Sequence, residues 1–264
     1  MPYETLLYEK TEGVALLTLN RPDKMNAWNS TMRVEIRDLL SSVNQDPEVR
    51  VLLVTGAGDK AFSAGADQSE RSTGGAISRQ DIQANNLNPN RSLSMFVRSI
   101  EKPVVSAVNG VTVGGGLSLV CSSDVAIASD QARFRVGHAR LGMGMMDGLG
   151  WLLPRRIGAQ RAFELYATNR IMDAAEAERA GLVLRVVPHA DLMREAMAFA
   201  TTLAKAPPLG LRWTKKAMSR SHTHTLDEYL EFERLVYVTC YYSEDSREAR
   251  KAFLEKREPK FQGR

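Results

Sequence analysis

Apolar residues follow two patterns along this chain, and the change from one to the other divides it. Up to about residue 190, short β-branched runs recur at Val14 to Leu19, Val51 to Thr55, Val104 to Val108, Val125 to Ala128 and Val183 to Val187. Between them lie segments with apolar residues at helical spacing: Ser30 to Val43, Ser92 to Ile100 and Gly114 to Ser122. Alternation of this kind predicts an α/β core built from repeated strand and helix units. After Val187 the strand pattern stops, and Asp191 to Lys205, Leu209 to Ser219, Leu226 to Tyr242 and Glu244 to Lys256 read as helices. Residues 1–190 are therefore expected to form the α/β core and 191–264 a C-terminal helical region. One polar segment, Gln68 to Arg91, interrupts the alternation. An insert of that length without pattern is either disordered or a cover over a site.

The stretch Glu101 to Asp124 contains no charge between its Lys102 and Asp124, so it is expected to be buried. Its apolar run breaks at Asn109-Gly110 and reaches Gly114-Gly115-Gly116 before a second apolar run. The uncharged window is long enough to be tested as a membrane span, but an Asn-Gly turn in its middle would leave backbone groups unpaired in lipid. No membrane partner is expected. Glycines at a helix start leave amide N–H groups bare, and a buried helix N-terminus of that kind suits negative charge. A substrate carbonyl oxygen seated there would be stabilised as an oxyanion or enolate. Tight helix packing also uses glycine, and the triplet alone does not separate the two readings.

Composition narrows the class. The chain has 264 residues, 44% hydrophobic and 25% charged, which is ordinary for a soluble globular protein with a large core. Its first residues, MPYETLLYEKTEG, hold no apolar core of signal-peptide length, so a cytoplasmic protein is expected. Cys121 and Cys240 lie far apart with no Cys/His cluster, which argues against a disulfide or a zinc site. The net charge is +4, and basic residues concentrate in two runs: Lys205 to Arg220, with five and no acid, and Arg247 to Arg264, whose own balance is +4. Neither run is interleaved with aromatics and no recognition module accompanies them, so nucleic acid is not an expected partner.

A glycine-rich match, Gly56-Ala57-Gly58-Asp59-Lys60-Ala61, follows a predicted strand and raises a dinucleotide enzyme as a rival class. That fingerprint requires a helix, a second strand and an acid about 20 residues onward. Here the polar insert occupies that place.

Three ordered motifs carry a stronger signal: LNRPDKMNAW at Leu19 to Trp28, FSAGAD at Phe62 to Asp67, and VNGVTVGGG at Val108 to Gly116. Together with RIGAQRAFEL, AERAGLV and the tail EARKAFLEKREPKFQG, they make the chain resemble the enoyl-CoA hydratase/isomerase, or crotonase, family nearly end to end. The resemblance implies a repeated ββα spiral with a C-terminal helical region that builds homotrimers or hexamers. It implies an acyl-CoA substrate, with coenzyme A part of the substrate and no other cofactor. By the same resemblance, Ala66 and Gly115 each donate a backbone N–H to the thioester oxygen. Lys24, Met25, Ala27 and Ala64 lie along the adenine and pantetheine of coenzyme A, Asp67 and Ser118 lie beside the substrate, and Lys256 contacts a phosphate.

The chain departs from the family's hydratases at two positions. Where they carry glutamates, it has Ser118 and His138. A serine is no carboxylate base, whereas a histidine with an unperturbed pKa of about 6.5 can exchange protons near neutrality. Asp147, nine residues after His138 and followed by Gly148, reproduces a spacing similar to that of 6-oxocamphor hydrolase, a family member that cleaves a carbon–carbon bond in a β-diketone. That hydrolase lacks the triple glycine, which favours a coenzyme A thioester here. A dehalogenase-like chemistry would need an aspartate at Met146 and is not expected. The expected roles are His138 as acid/base, Asp147 as its orienter or a second acid/base, and Trp28 as a pocket wall. The bland alternatives are a satisfied loop histidine, a cap for the helix through Gly148 to Leu153, and a core tryptophan. Hydration, isomerisation, carbon–carbon hydrolysis and non-catalytic acyl-CoA binding remain open.

Overall fold

A computed structural model describes residues 3–73 and 92–264; residues 74–91, most of the polar insert, lie outside the described residues. Two sheets organise the chain. Six strands, β1 (Leu6–Thr11), β2 (Val14–Leu19), β3 (Val51–Gly56), β5 (Val104–Val108), β7 (Val125–Ser129) and β10 (Arg185–Val187), lie side by side in that order. The hairpin β1–β2 is antiparallel and the remaining pairs are parallel. Every residue of β3 and β5 is buried, as expected of parallel strands covered on both faces, and this explains their unbroken apolar runs. A second sheet orders four short strands, β4 (Ala61–Ser63), β6 (Val111–Val113), β8 (Arg133–Arg135) and β9 (Met172–Asp173).

The unit that repeats is a long strand of the first sheet, a tight link, and a short strand of the second: β3 to β4, β5 to β6, β7 to β8. Asn109-Gly110 forms one such link. Its Asn109 side chain donates to the carbonyls of Gly56 (2.9 Å) and Gly58 (2.7 Å), tying two links together. The uncharged window therefore divides into strand, turn, strand and the helix α4 named below. Among the described residues no helix is long and apolar enough to cross a membrane.

Helices α1 (Ser30–Gln45), α3 (Leu93–Ser99) and α4 (Gly115–Ser122) contribute to the main core, together with Leu17, Leu52, Val54 and Val104 of the sheet. Between α1 and α3, Gln68–Thr73 forms the short helix α2, so the polar insert begins in regular structure. Three helices follow β8: α5 (Leu149–Ile157), which begins in the stretch read as helix from Gly148 to Leu153, and α6 (Ala159–Thr168) and α7 (Ala174–Ala180), not anticipated individually. Next comes α8 (Leu192–Lys205), whose Leu192, Ala196, Ala200 and Ala204 pack on Val14, Val51, Leu53, Val105 and Ile127, across the sheet from the main core. The change of pattern near residue 190 is thus not a change of packing unit. The last helices are α9 (Pro208–Arg220), α10 (Leu226–Tyr241) and α11 (Glu244–Glu255).

The basic run on α9 is ion-paired. Lys215 meets Asp124 at 2.7 Å, Arg212 meets Glu101 at 2.6 Å, and Lys216 also pairs with Glu101. These contacts clamp α9 to the strand entries, which leaves little of that charge for a polyanion. The glycine-rich Gly56 to Ala61 link leads into strand β4 and not into a helix, so the dinucleotide reading fails at its first structural requirement.

Candidate functional site

The turn after β2 is built to reach the FSAGAD segment. A short 3₁₀ turn, Pro22–Lys24, is followed by two left-handed residues, Met25 (φ 51°) and Asn26 (φ 53°). Asn26 is fully buried. Its side chain accepts from the Arg21 N–H (3.0 Å) and donates to the carbonyls of Ala57 (3.0 Å) and Ala61 (2.8 Å). Two further bonds cross: Ser63 Oγ donates to the Asn26 carbonyl (2.8 Å) and the Ala64 N–H to the Met25 carbonyl (2.9 Å).

The contact then continues as a parallel bridge between Trp28 and Ala66. The Trp28 N–H donates to the Gly65 carbonyl (2.7 Å) and the Asp67 N–H to the Trp28 carbonyl (3.0 Å). A parallel ladder engages only alternate residues of a strand, so the Ala66 N–H points away from the Trp28 strand. Asp67 holds this loop down. Its carboxylate accepts from the Ser69 hydroxyl (2.6 Å) and pairs with Arg21 (2.9 Å); the hydroxyl first and the guanidinium second hold its pKa down to about 2.

The opposite wall is the start of α4. Gly115 is its first residue, and its N–H has no intrahelical acceptor. Two close approaches fix where it sits. A Cβ on Gly65, at φ +81°, would lie 2.7 Å from the Val113 carbonyl oxygen and 3.1 Å from the Gly115 nitrogen. A Cβ on Gly115 would lie 2.7 Å from Cζ3 of Trp28, whose ring is 3% exposed. Only glycine at both positions lets the Ala66 loop, the α4 N-terminus and the indole come together.

A cavity of about 1010 Å³ opens at this junction, spacious enough for an acyl chain and part of its carrier. Of the residues singled out from sequence, Trp28, Ala64, Ala66 and Asp67 line it from one side, and Gly115, His138 and Asp147 from the other. Trp28 is both core and wall. Five others do not line it. Lys24 and Met25 are exposed on the adjoining turn and Ala27 is buried beneath it. Lys256 caps the end of α11 at φ 54°. Ser118 is fully buried within α4, and its Oγ has no hydrogen-bond partner among the described residues.

His138 follows β8 and lies close to the Gly114 turn, its Cε1 3.6 Å from where a Gly114 Cβ would be. Its Nδ1 lies 2.9 Å from the Val136 carbonyl oxygen. A carbonyl only accepts, so Nδ1 carries a proton, and in the neutral tautomer the basic lone pair is on Nε2. Asp147 takes a left-handed backbone (φ 55°). Its Oδ1 accepts from Ser92 Oγ (2.7 Å), the cap of α3, while its Oδ2 is buried without a partner. Asp147 does not cap its own helix α5, which starts at Gly148 with no side-chain cap. His138 Nδ1 donates its proton to the Val136 carbonyl, a bond that orients the ring. Sequence reading missed Ser92 and Val136, whose roles arise only when the chain returns from the insert.

Burial pushes the Asp147 carboxyl above its ordinary pKa, against the Ser92 hydroxyl, the amides of Ser94 and Leu93 and the nearby Arg33. The fold therefore prefers it protonated: its contribution to stability is present below the unfolded pKa of about 3.9 and lost as pH rises through the folded value. Asp147→Asn is expected to melt above the parent protein at pH 7, with the gap closing below pH ~4. Thermal melts at the two pH values check this, and a gap independent of pH would contradict it.

Among the described residues no group of His, Cys, Asp and Glu is arranged to hold a metal ion. A family model described as enoyl-CoA hydratase/isomerase matches residues 9–264. The chain is similar to a probable enoyl-CoA hydratase of Mycobacterium tuberculosis, 38% identical over 263 residues and covering 99% of each. It is 36% identical over 264 residues to the 1,2-epoxyphenylacetyl-CoA isomerase of Escherichia coli, again covering 99% of each. Among solved structures, an enoyl-CoA hydratase from Bacillus anthracis superposes with a TM-score of 0.93 at 32% identity, covering 99% of this chain and 100% of that one.

Proposed function

The chain belongs to the enoyl-CoA hydratase/isomerase family, and from that premise we propose that it is an enzyme acting on an acyl-CoA thioester through an enolate, with His138 as its acid/base. The thioester oxygen sits between the N–H groups of Ala66 and Gly115. As the Cα–H bond breaks, its proton passes to His138 Nε2 and the electron pair moves onto that oxygen, where the two N–H groups stabilise it. With a 2-enoyl thioester the same enolate forms when water adds at Cβ and gives its proton to His138. With a 3-enoyl thioester, His138 takes the proton from Cα and returns it at Cγ. Ser118 supplies no carboxylate, so the acid/base work falls to one imidazole where the family's hydratases use two glutamates.

The single observation that carries this reading is that Ala66, Gly115 and His138, from distant parts of the chain, line one cavity. Lys24, Met25 and Ala27, on the turn bonded to Ala64, are proposed to flank the carrier outside the cavity, and Lys256 to reach a phosphate. A second reading, carbon–carbon hydrolysis of a β-dicarbonyl substrate, is favoured by Asp147 lining the same cavity as His138. Incubation with a saturated thioester such as butyryl-CoA in D2O tests the preferred reading. Deuterium at Cα is expected without net turnover; binding without exchange would identify a carrier protein.

A homo-oligomer, trimer or hexamer, is proposed with it. Helix α10 buries none of its residues fully, and Phe253 and Leu254 on α11 are 83% and 81% exposed. Apolar surface of this extent suits a second copy. Sedimentation is expected to give a multiple of the chain mass, and Phe253→Glu with Leu254→Glu to give the monomer. A monomeric parent protein would contradict the proposal.

A further inference from the structure

The cavity wall carries arginines that the thioester chemistry leaves unused. Arg135 ends β8, and its register opposite Val113, itself on the cavity wall, puts the two side chains on the same face. Its Nε is buried with no hydrogen-bond partner. Arg140 lies two residues beyond His138 in the 3₁₀ turn Ala139–Leu141 and lines the same cavity. Among the described residues neither guanidinium has a carboxylate partner, whereas the other basic groups of the core and α9 are largely paired.

Carboxylates on the same wall do not supply the missing partner. Asp67 is tied to Arg21 and Ser69, Glu70 accepts from the N–H (2.9 Å) and Oγ (3.1 Å) of Ser30, and Asp147 is held by Ser92. Two guanidinium groups without carboxylate partners on one cavity wall leave positive charge that a ligand carboxylate would pair. Leu141 and Met143, on the same stretch of wall, offer apolar surface for a carbon chain or ring.

We propose that the acyl group bears a second carboxylate, remote from the thioester, which Arg135 and Arg140 bind, so that the substrate class is a dicarboxylic acyl-CoA. Guanidinium forks match a carboxylate's two oxygens and provide direction as well as charge. The inference rests on the acyl-CoA reading of the site.

Calorimetric titration of the full chain tests it with three pairs of saturated thioesters matched in carbon number: glutaryl- and pentanoyl-CoA, adipoyl- and hexanoyl-CoA, suberoyl- and octanoyl-CoA. At the length that spans the cavity, the dicarboxylic member is expected to bind about tenfold or more tighter than its partner, and less so at high salt. In Arg135→Gln combined with Arg140→Gln that preference is expected to fall to about one. Equal or tighter binding of the monocarboxylic member at all three lengths would overturn the proposal, as would a preference that survives in the double variant. Failure of every thioester and of coenzyme A itself to bind would remove the acyl-CoA reading and this inference together; loss of the preference alone removes only the inference.

Discussion

His138→Ala is expected to slow deuterium exchange at Cα of butyryl-CoA by about 10²–10⁴, the range that a positioned acid/base contributes. Affinity for the thioester is expected to change little, because the imidazole acts on a proton and the carrier is held elsewhere. The reason lies in the tautomer. Val136 fixes the proton on Nδ1, so removing the ring takes away the basic nitrogen without disturbing the β8 backbone that carries the acceptor. Asp147 does not take over: its Oδ1 is held by Ser92 and its Oδ2 is buried. Single-turnover exchange followed by mass spectrometry measures this, and unchanged exchange in the variant would remove His138 from the chemistry.

Gly65→Ala is expected to have the second large effect, a fall of about 10²–10³ in the same rate, as when one oxyanion donor is lost. An added methyl meets the Val113 carbonyl at 2.7 Å and the Gly115 nitrogen at 3.1 Å, and both are backbone atoms that cannot rotate aside. The residue also sits at φ +81°, where a side chain adds strain of about 1–3 kcal/mol. Relief requires the loop that carries Ala66 to move away from the α4 N-terminus, which separates the two donors. Gly144→Ala provides the control, since its Cβ would meet nothing within 4 Å, and it is expected to leave the rate unchanged. Equal rates in both variants and the parent protein would show that the spacing of these two segments does not matter.

How far the architecture could be read from residues depended on burial. β2, β3, β5 and β7 announced themselves because parallel strands covered on both sides must be apolar throughout. The second sheet was hidden, since β4, β6 and β8 are three residues each and β9 two, too short for any period to show. Strand β1, LLYEKT, was hidden for a different reason: one edge lies open to solvent and its charged half reads as loop. Within the site, the two glycine-bearing motifs, FSAGAD and VNGVTVGGG, pointed to the Ala66 loop and the α4 start, because close backbone approach leaves a compositional trace. The partners of His138 and Asp147 left no trace at all: a backbone carbonyl has no sequence signature, and Ser92 reaches Asp147 only after the chain has passed through the insert.

The most direct measurement is a crystal structure with a saturated acyl-CoA bound. The thioester oxygen is expected about 2.7–3.1 Å from both the Ala66 and Gly115 nitrogens, with His138 Nε2 facing Cα. An oxygen bonded to neither nitrogen, or to other groups in the cavity, would contradict the account.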